Sequence, residues 1–399
     1  MAATRKREGR TVVDAILSGL GGLAAGGKYL IASGGPNVIM LGVAGVMLYL
    51  AIAKGVEPLL LLPIAFGCLL ANLPLSDLMG EHGVLRTLYN FGIGNELFPL
   101  LIFVGIGSMT DFTPLLANPR LLLFGAAGQL GIFATLLLAL ALGFSKEEAV
   151  SVAMIGSCDG PTVIYVSNLF ADLHKVPTAM VGALAVAAYS YMALVPVLQP
   201  PIMRLLTTEK ERAVKMPSPR GKVSRPALML FPLVVTGITG LIAPQGLPLM
   251  GMIMLGNFMK VSGVVQRLAL ASENEIANIS TLFLGLAVGG TMNGHEFLKW
   301  QTLLVFGLGL VAIVVDTAGG IFLGKIWYVL SGGKVNPLLG AAGISAYPMA
   351  ARLVQAEGQR WNKQNFLLMH AMAANTGGQV GSVMAAAIML SVLKGLGIL

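Results

Sequence analysis

The residue best suited to chemistry in this sequence is Asp159, a carboxylate inside the apolar run Met154–Tyr165. A carboxylate at membrane depth costs at least about 2.5 kcal/mol on insertion scales, so such a residue marks a functional site by default. The glycine and proline that follow it interrupt helical hydrogen bonding and free backbone carbonyl oxygens. Hard cations prefer several oxygen ligands. Asp159, Ser157, Thr162 and the freed carbonyls therefore predict a buried cation site; the alternative is a carboxylate in a loop at the membrane interface.

A second group of polar residues lies near another glycine–proline interruption, which contains Ser345. Asn336 precedes this interruption, and Asn375 and Gln379 follow it in an otherwise apolar stretch. These side chains offer neutral hydroxyl and amide oxygens, and two glycines next to them let backbones approach closely. We expect this second group to contribute to the same kind of site as Asp159.

Two tyrosines, Tyr189 and Tyr191, lie in a long apolar run. Each is either an interface or core residue with a satisfied hydroxyl, or a proton donor that lines a polar path, and the sequence favours neither.

His370 is interpreted as a helix residue that makes a hydrogen bond. Four carboxylates border apolar runs: Asp111, Asp316, Glu96 and Glu275. For each of them the sequence fits a helix cap, an interface residue and part of a second ion path equally well. No nucleotide-binding or catalytic-triad motif is present, so we expect no nucleotide hydrolysis.

The elements that must position these residues are membrane helices. Hydrophobic residues make up 56% of the 399 positions and charged residues 11%, whereas an average soluble domain carries about 25% charged residues. Ten apolar runs of full or half membrane length recur along the chain, and a full crossing needs about 20 apolar residues, so we predict about ten to twelve crossings. The 51 glycines and 20 prolines are tolerated where neighbouring helices satisfy the freed backbone.

Three segments of the first half align with segments of the second half in the same order. They pair Pro63–Asn72 with Pro248–Asn257, Gly107–Gly125 with Gly289–Gly307, and Gly156–Pro161 with Gly343–Pro348. Repeated halves with a glycine–proline interruption in each are typical of secondary transporters, whose broken helices bind ions near the bilayer midplane. We therefore predict an all-α polytopic membrane protein with two similar, inverted repeats. The alternative is that the interruptions are ordinary kinks.

The formal net charge of +8 is concentrated in a basic N-terminus and a basic loop at 204–225. Excess Lys and Arg in short loops marks the cytoplasmic side, and we expect no nucleic-acid partner. Cys68 and Cys158 show neither metal-ligand spacing nor a disulfide pattern. The predicted divisions are a basic N-terminus with a possible amphipathic surface helix at 1–36, a first membrane repeat at 37–203, a cytoplasmic loop at 204–225 and a second membrane repeat at 226–399.

Nine longer motifs carry a resemblance to a known family. They are Val104–Phe112, Pro114–Arg120, Cys158–Thr162, Ala188–Pro196, Gln199–Met203, Leu206–Arg212, Lys334–Leu338, Gly343–Ala346 and Phe366–Met372. From about residue 38 onward the chain resembles the β subunits of the sodium-pumping, biotin-dependent decarboxylases.

The resemblance implies a multi-pass subunit of the bacterial cytoplasmic (inner) membrane that is part of an enzyme. In the family, a cytoplasmic partner moves a carboxyl group from an acyl substrate onto biotin. The membrane subunit then decarboxylates carboxybiotin, which drives Na⁺ out of the cell while a proton is consumed. The implied partners are a biotin carrier and carboxyltransferase subunit and a small membrane-anchoring subunit, in an oligomeric complex. The alternatives are a cation/proton antiporter without chemistry and a scaffold subunit without turnover.

The resemblance also implies roles for single residues. Asp159 is similar to the family's main Na⁺ ligand and coupling carboxylate. Asn336, Ser345 and Asn375 resemble its polar partners in ion or carboxybiotin binding, and either Tyr189 or Tyr191 resembles the residue associated with proton delivery. The chain departs from the family at Cys158, where a smaller residue is usual. We expect the thiol to leave the carboxylate intact and to narrow the site.

Overall fold

The structure is a computed structural model that describes residues 35–55, 57–74, 76–217 and 223–397, apart from the side chains of Ala179, Ala193 and Glu296. The predicted surface helix before residue 35 and part of the basic loop lie outside the described residues. Every regular element in the described ranges is helical, which confirms the all-α prediction. A chain in lipid must satisfy its own backbone, and helices do so within one segment.

The first half begins with two antiparallel helices and ends with one long, bent helix. In chain order its helices are α1 (Gly35–Ala53), α2 (Pro58–Asn72), α3 (Val84–Leu88), which continues as a π segment (Tyr89–Ile93), α4 (Leu97–Met109), α5 (Thr113–Ala117), a 3-10 turn (Pro119–Leu121), α6 (Leu122–Ala127), α7 (Leu130–Ala141), α8 (Lys146–Ala153), a 3-10 turn (Met154–Ser157), α9 (Gly160–Asp172) and α10 (Thr178–Leu206).

The second half repeats much of this order. After the short α11 (Glu209–Arg212) it contains α12 (Arg225–Ile242), a 3-10 turn (Pro244–Gly246), α13 (Leu247–Ser262), α14 (Gln266–Ala271), which continues as a π segment (Ser272–Ile276), α15 (Ala277–Gly290), α16 (Gly294–Phe297), α17 (Trp300–Leu330), a 3-10 segment (Pro337–Gly343), α18 (Met349–Trp361) and α19 (Leu368–Gly395).

Five helices among the described residues are long and apolar enough to cross a membrane, or up to seven if each of two bent pairs counts as one span. The bent pairs are Val84–Ile93 with Leu97–Met109, at 58°, and the two parts of α10, at 56°. This is fewer than the predicted ten to twelve crossings, because several apolar runs form half-length segments. Large apolar side chains face outward, as Leu241 (87% exposed) and Phe322 (67% exposed) show. Such a surface fits lipid.

Two of the half-length pairs are hairpins that enter the molecule and turn back. In the first hairpin, α8 with its 3-10 turn leads inward and α9 leads back, because Lys175 after α9 bonds Glu147 at the start of α8 (3.2 Å). In the second hairpin, the segment Pro337–Gly343 leads inward and α18 leads back. Arg212 contacts both outer ends of the second hairpin. The carbonyl of Arg212 accepts a bond from Asn336, and the guanidinium of Arg212 lies 4.2 Å above the ring of Trp361.

The position of α10 agrees with hairpins that enter from opposite sides, as the predicted inverted repeat requires. Helix α10 begins next to the outer end of the first hairpin and ends at Leu206, next to the connection that touches the second hairpin. Its two parts meet at 56° and are each about 20 Å long at 1.5 Å per residue, so together they still span the roughly 30 Å hydrocarbon core of a bilayer. The inner tips of the hairpins therefore meet in the interior.

Matched contacts link the two halves. Asn72 at the end of α2 donates to the carbonyl of Met292 (2.7 Å), and Asn257 in α13 donates to the carbonyl of Thr110 (3.0 Å). These pairs lie at equivalent places in the sequence alignment of the halves. They agree with the predicted repeat, whereas its inverted relation and its boundaries stay predictions.

Candidate functional site

Asp159 lies at the tip of the first hairpin, where the sequence cannot continue a helix. Cys158 adopts a left-handed conformation (φ 51°) and ends the 3-10 turn. Asp159 is extended, and α9 starts with the next residue, with a proline in its first turn. The carboxylate is 4% exposed. Its Oδ2 accepts a 2.6 Å bond from the hydroxyl of Thr162, so the local sequence both breaks the helix and holds the carboxylate.

Gln379 in α19 completes the surroundings of this carboxylate from the other half of the chain. Its Nε2 lies 3.3 Å from Oδ2 of Asp159. The hydroxyl of Ser157 donates to the backbone carbonyl of Asp159 (3.3 Å). Three of the residues that the sequence predicted near this site, Ser157, Thr162 and Gln379, are therefore hydrogen-bonded to Asp159.

The tip of the second hairpin is bound to α19 by two of the predicted residues. The hydroxyl of Ser345 donates to the carbonyl of Gly378 (2.8 Å), and the amide of Asn375 donates to the carbonyl of Ile344 (2.6 Å). Oδ1 of Asn375 and Oγ1 of Thr376 are buried and have no hydrogen-bond partner among the described residues. These two oxygens are available to a ligand.

A cavity of about 600 Å³ joins the two tips. Asp159 and Tyr189 line it from the first half, and Ser345, Arg352 and Gln379 line it from the second. Its remaining polar lining comes from Glu57, Glu273, Asn278, Thr281 and Tyr347. Glu57 precedes α2 and lies in the left-handed region (φ 37°), and burial raises the pKa of its carboxyl.

The structure distinguishes the two tyrosines that the sequence left equal. Tyr189 lines the cavity, is 2% exposed, and its hydroxyl has no hydrogen-bond partner among the described residues. A Cβ at Gly160 would lie 2.0 Å from the ring of Tyr189, so that glycine is needed for the ring to reach the tip. Tyr191 instead packs against Gly309, and its hydroxyl donates to the carbonyl of Phe306.

Asn336 does not line this cavity. Its Nδ2 donates to the carbonyls of Arg212 (3.0 Å) and Val214 (2.9 Å), and its Oδ1 accepts from the backbone N–H of Leu338 (3.0 Å). The amide is thus fully used in fastening the basic connection to the outer end of the second hairpin.

Arg352 is a residue that sequence reasoning missed. It lies on α18, whose sequence predicts an ordinary amphipathic helix with polar residues on one face, so an arginine there does not stand out. The signal that was available is its position one turn after the Gly343–Pro348 interruption, which places a guanidinium close to a hairpin tip. Among the other candidates, Asp111 caps the N–H of Thr113 (2.9 Å), and His370 bonds the carbonyl of Pro217 (2.8 Å).

Comparison with known proteins assigns this arrangement to a family. A family model described as the Na⁺-transporting oxaloacetate decarboxylase beta subunit matches residues 36–393. The chain belongs to this family. The resemblance noted from the sequence motifs is therefore confirmed, and the protein is a multi-pass membrane subunit of a Na⁺-transporting decarboxylase of the bacterial inner membrane.

Individual relatives match along most of their length. The methylmalonyl-CoA decarboxylase subunit beta of Veillonella parvula is 49% identical over 358 residues, which cover 90% of this chain and 93% of the relative. The glutaconyl-CoA decarboxylase subunit beta of Acidaminococcus fermentans is 48% identical over 359 residues, or 90% and 94% of the two chains. The oxaloacetate decarboxylase beta chain of Klebsiella pneumoniae is 43% identical over 439 aligned residues, or 95% and 98%.

Proposed function

We propose that this decarboxylase subunit removes CO₂ from carboxybiotin, which a partner subunit presents, and that it couples this reaction to Na⁺ export with consumption of a proton. The observation that carries the proposal is the shared cavity: a buried carboxylate, a guanidinium and an unpaired phenol, from Asp159, Arg352 and Tyr189, line the same 600 Å³ space.

The proposed Na⁺ ligands are oxygens of the first hairpin tip and of α19. Asp159 supplies the charge, and Ser157, Thr162 and Asn375 supply neutral oxygens. Oxygen donors of this kind suit a hard cation. Oδ1 of Asn375 supports this assignment, because it is buried without a partner among the described residues and such a group costs free energy unless a ligand satisfies it.

The proposed carboxybiotin site lies on the Arg352 side of the cavity. A guanidinium recognises a carboxylate through paired, charge-assisted hydrogen bonds. The bond between the ureido nitrogen and the carboxylate carbon breaks, CO₂ leaves, and the electron pair stays on the ureido group. The hydroxyl of Tyr189 then donates its proton to that group and is reprotonated from water. Ser345, at the second tip, donates its hydroxyl hydrogen to Gly378, so its oxygen is left to accept a hydrogen bond from the ureido N–H.

Loss of the carboxylate provides the coupling. While carboxybiotin is bound, its negative charge attracts Na⁺ at Asp159. At about 4 Å and an effective dielectric constant near 20, this attraction is worth about 4 kcal/mol. After CO₂ has left and the ureido group has been protonated, that charge is gone. The affinity of the site for Na⁺ therefore falls and the ion is released.

The position of the cavity mouth supports delivery from the cytoplasm. Leu368 and Met369 line the cavity at the start of α19. Just before them, the side-chain amides of Asn362 and Asn365 bond the carbonyls of Ala213 and Val214 in the basic connection. Basic connections lie on the cytoplasmic side. A biotin carrier with its carboxyltransferase subunit would approach from there, and a small membrane-anchoring subunit would complete the oligomeric complex.

Asn336 has a different proposed role from the one that the resemblance implied. Its contacts support a function in fixing the basic connection, which lies between the carrier and the second hairpin. Cys158 lines the cavity but has no proposed ligand role, since a hard cation prefers oxygen donors to sulfur.

The rival function is Na⁺/proton antiport without chemistry, which would use the same carboxylate. The size of the cavity favours decarboxylation, because one partly dehydrated ion needs far less than 600 Å³. Arg352 favours it as well, since a guanidinium repels Na⁺ and attracts an organic carboxylate. The acyl substrate of the complex is bound by another subunit, so no residue of this chain is assigned to it.

The test is Na⁺-dependent decarboxylation of free carboxybiotin by the purified complex, with Asp159→Asn compared with the wild type. Asp111→Asn is the matched control, because the carboxylate of Asp111 caps a short helix and does not line the cavity. We expect turnover that requires Na⁺ in the wild type and the control and is absent in folded Asp159→Asn. If carboxybiotin is not consumed while ²²Na⁺ exchanges across vesicles in an Asp159-dependent way, antiport is the function and the proposal is wrong.

A further inference from the structure

Asp316 is a second buried carboxylate that the proposed mechanism does not use. It lies in the middle of α17 and is 0% exposed. Its Oδ1 accepts a 2.5 Å bond from the backbone N–H of Gly131. Its Oδ2 has no hydrogen-bond partner among the described residues. A buried polar oxygen without a partner is costly, so this arrangement calls for an explanation.

The bond satisfies a backbone group at an interruption of the span Pro119–Ala141. Gly128 and Gln129 form a turn between α6 and α7, so α7 starts inside the molecule. The first N–H groups of a helix have no acceptor within that helix. Ile132 bonds back to the carbonyl of Gln129 (3.2 Å), and Asp316 provides the acceptor for Gly131. The helix dipole also favours an acceptor with negative charge at this end.

This interrupted turn, Gly128–Ile132, lies between the two hairpin tips. A Cβ at Gly128 would lie 2.3 Å from the carbonyl oxygen of Gly343, at the second tip. A Cβ at Gly156, near the first tip, would lie 2.9 Å from the backbone nitrogen of Ile132. Gln129 also donates to the carbonyls of Gly343 (3.3 Å) and Gly378 (3.4 Å). The turn therefore sets the spacing of both tips.

We propose that Asp316 is a positioning residue for the Na⁺ site: by capping Gly131 it fixes the turn Gly128–Ile132, on which both hairpin tips rest. The proposal builds on the assignment of Na⁺ to Asp159. Asp316 touches neither the ion nor carboxybiotin. Loss of its cap lets the turn shift, which changes the separation between the oxygens of the first tip and those of Asn375 and Gln379.

The first variant pair separates the hydrogen bond from the charge. Asp316→Asn keeps an oxygen for the N–H of Gly131, whereas Asp316→Ala removes it. We expect Asp316→Ala to weaken Na⁺ binding at least about tenfold, the usual loss when a residue that orients the metal ligands without touching the metal is removed. The Na⁺ affinity of Asp316→Asn should stay within about threefold of that of the wild type. The Na⁺ concentration for half-maximal turnover should follow the same order, with a smaller change in turnover at saturating Na⁺.

The measurement is equilibrium binding of ²²Na⁺ to the purified complex without carboxybiotin, together with the Na⁺ dependence of decarboxylation. Ile313→Val is the control for lost packing in α17, since Ile313 is fully buried. It should lower thermal stability without a change in Na⁺ affinity. If Asp316→Ala does not fold, Gly131→Ala replaces it: the new Cβ would lie 2.2 Å from the carbonyl of Ala312 and push α7 away from α17.

Two results would overturn the positioning role. Equal Na⁺ affinity in Asp316→Ala, or in Gly131→Ala where that variant is used, and in the wild type would show that the cap does not act on the site. An Asp316→Asn variant as defective as Asp316→Ala would show that the carboxylate itself carries a cation or proton. Failure of the Na⁺ assignment is distinct, because wild type and Asp159→Asn would then bind Na⁺ equally.

Discussion

Tyr189 and Tyr191 are two positions apart on α10, yet their hydroxyls meet different surroundings. The Tyr189 hydroxyl lies buried without a partner among the described residues, whereas that of Tyr191 is bonded to a backbone carbonyl. We predict that Tyr189→Phe slows carboxybiotin decarboxylation at saturating Na⁺ by about 10²-fold or more, a typical loss for a removed general acid. Tyr191→Phe should lower thermal stability and leave turnover within about threefold. Steady-state rates and melting curves of both variants are the check, and equal rates would remove Tyr189 from proton delivery.

Arg352 gives a prediction that separates chemistry from ion binding. If its guanidinium holds the carboxylate of carboxybiotin, Arg352→Gln should raise the KM for free carboxybiotin by at least about tenfold, as expected for a lost charge-assisted pair. Equilibrium Na⁺ binding without carboxybiotin should not weaken. Arg360→Gln, on the outer part of the same helix, is the control. A variant that binds Na⁺ less tightly and keeps its KM would place Arg352 in the ion site instead.

The sequence predicts the carboxylate of Asp159 but not the guanidinium of Arg352, because only Asp159 has apolar neighbours that make it stand out. Asp159 stands alone in an apolar run, so its type and its neighbours mark it. Arg352 lies in a polar helix, where an arginine is ordinary, and only the turn at the second tip brings it to the cavity. The choice between the tyrosines depends on which face of α10 meets the first tip, and an apolar run does not encode that.

At the scale of elements, the close approach of the second tip to α19 depends on glycine. A Cβ at Gly378 would lie 2.2 Å from the carbonyl oxygen of Gly343. We predict that Gly378→Ala displaces the tip and lowers Na⁺-dependent turnover at least about tenfold, because small misplacements at a site are costly. Gly307→Ala is the control: nothing lies within 4 Å of its Cβ, and it should be neutral or stabilising by about 0.5 kcal/mol. Matched rates in the two variants would contradict the prediction.

The second hairpin is also tied to the last turn of α10 by an ion pair. Both oxygens of Glu357 accept 2.8 Å bonds from Arg204, and this guanidinium holds the pKa of the carboxyl below its usual range. The stabilisation is therefore complete above the ordinary carboxyl pKa and is lost as the pH falls through the lowered one. We predict that Glu357→Gln lowers the melting temperature at pH 7 and that the difference from wild type shrinks as the pH falls below about 4.

Melting curves of the purified protein from pH 3 to pH 8 test this, with Glu81→Gln as the exposed control. A difference between wild type and Glu357→Gln that stays constant down to the lowest pH would show that the pair contributes no charge-dependent stability.

For the whole molecule, the opposed hairpins predict one-sided access. Met369 lines the cavity mouth and is half exposed, while Glu81, in the loop beyond α2, is predicted to lie on the opposite side. A membrane-impermeant maleimide should label Met369→Cys in inverted vesicles and Glu81→Cys in right-side-out vesicles. Both native cysteines are fully buried and should react slowly. Labelling of Met369→Cys from the outside would reverse the proposed orientation of the cavity.

The sequence alone predicts the class of the whole molecule better than its number of crossings. Composition and run length indicate helices in lipid. They do not fix the number of crossings, because apolar runs such as those of α2 and α4 form helices of 15 and 13 residues, which are shorter than the roughly 20 residues of a full crossing. The matched bonds of Asn72 and Asn257 agree with the predicted repeat, and an asparagine at the end of each aligned segment was its visible sign.

The bond between Asp159 and Gln379 spans 220 residues of chain, and this distance matters during synthesis. The first hairpin is inserted long before α19 leaves the ribosome. Until then its carboxylate has neither the amide of Gln379 nor the second tip beside it. If Asp159 holds Na⁺ as proposed, a partly made subunit carries only one part of that site, and Na⁺ binding requires synthesis to proceed through α19.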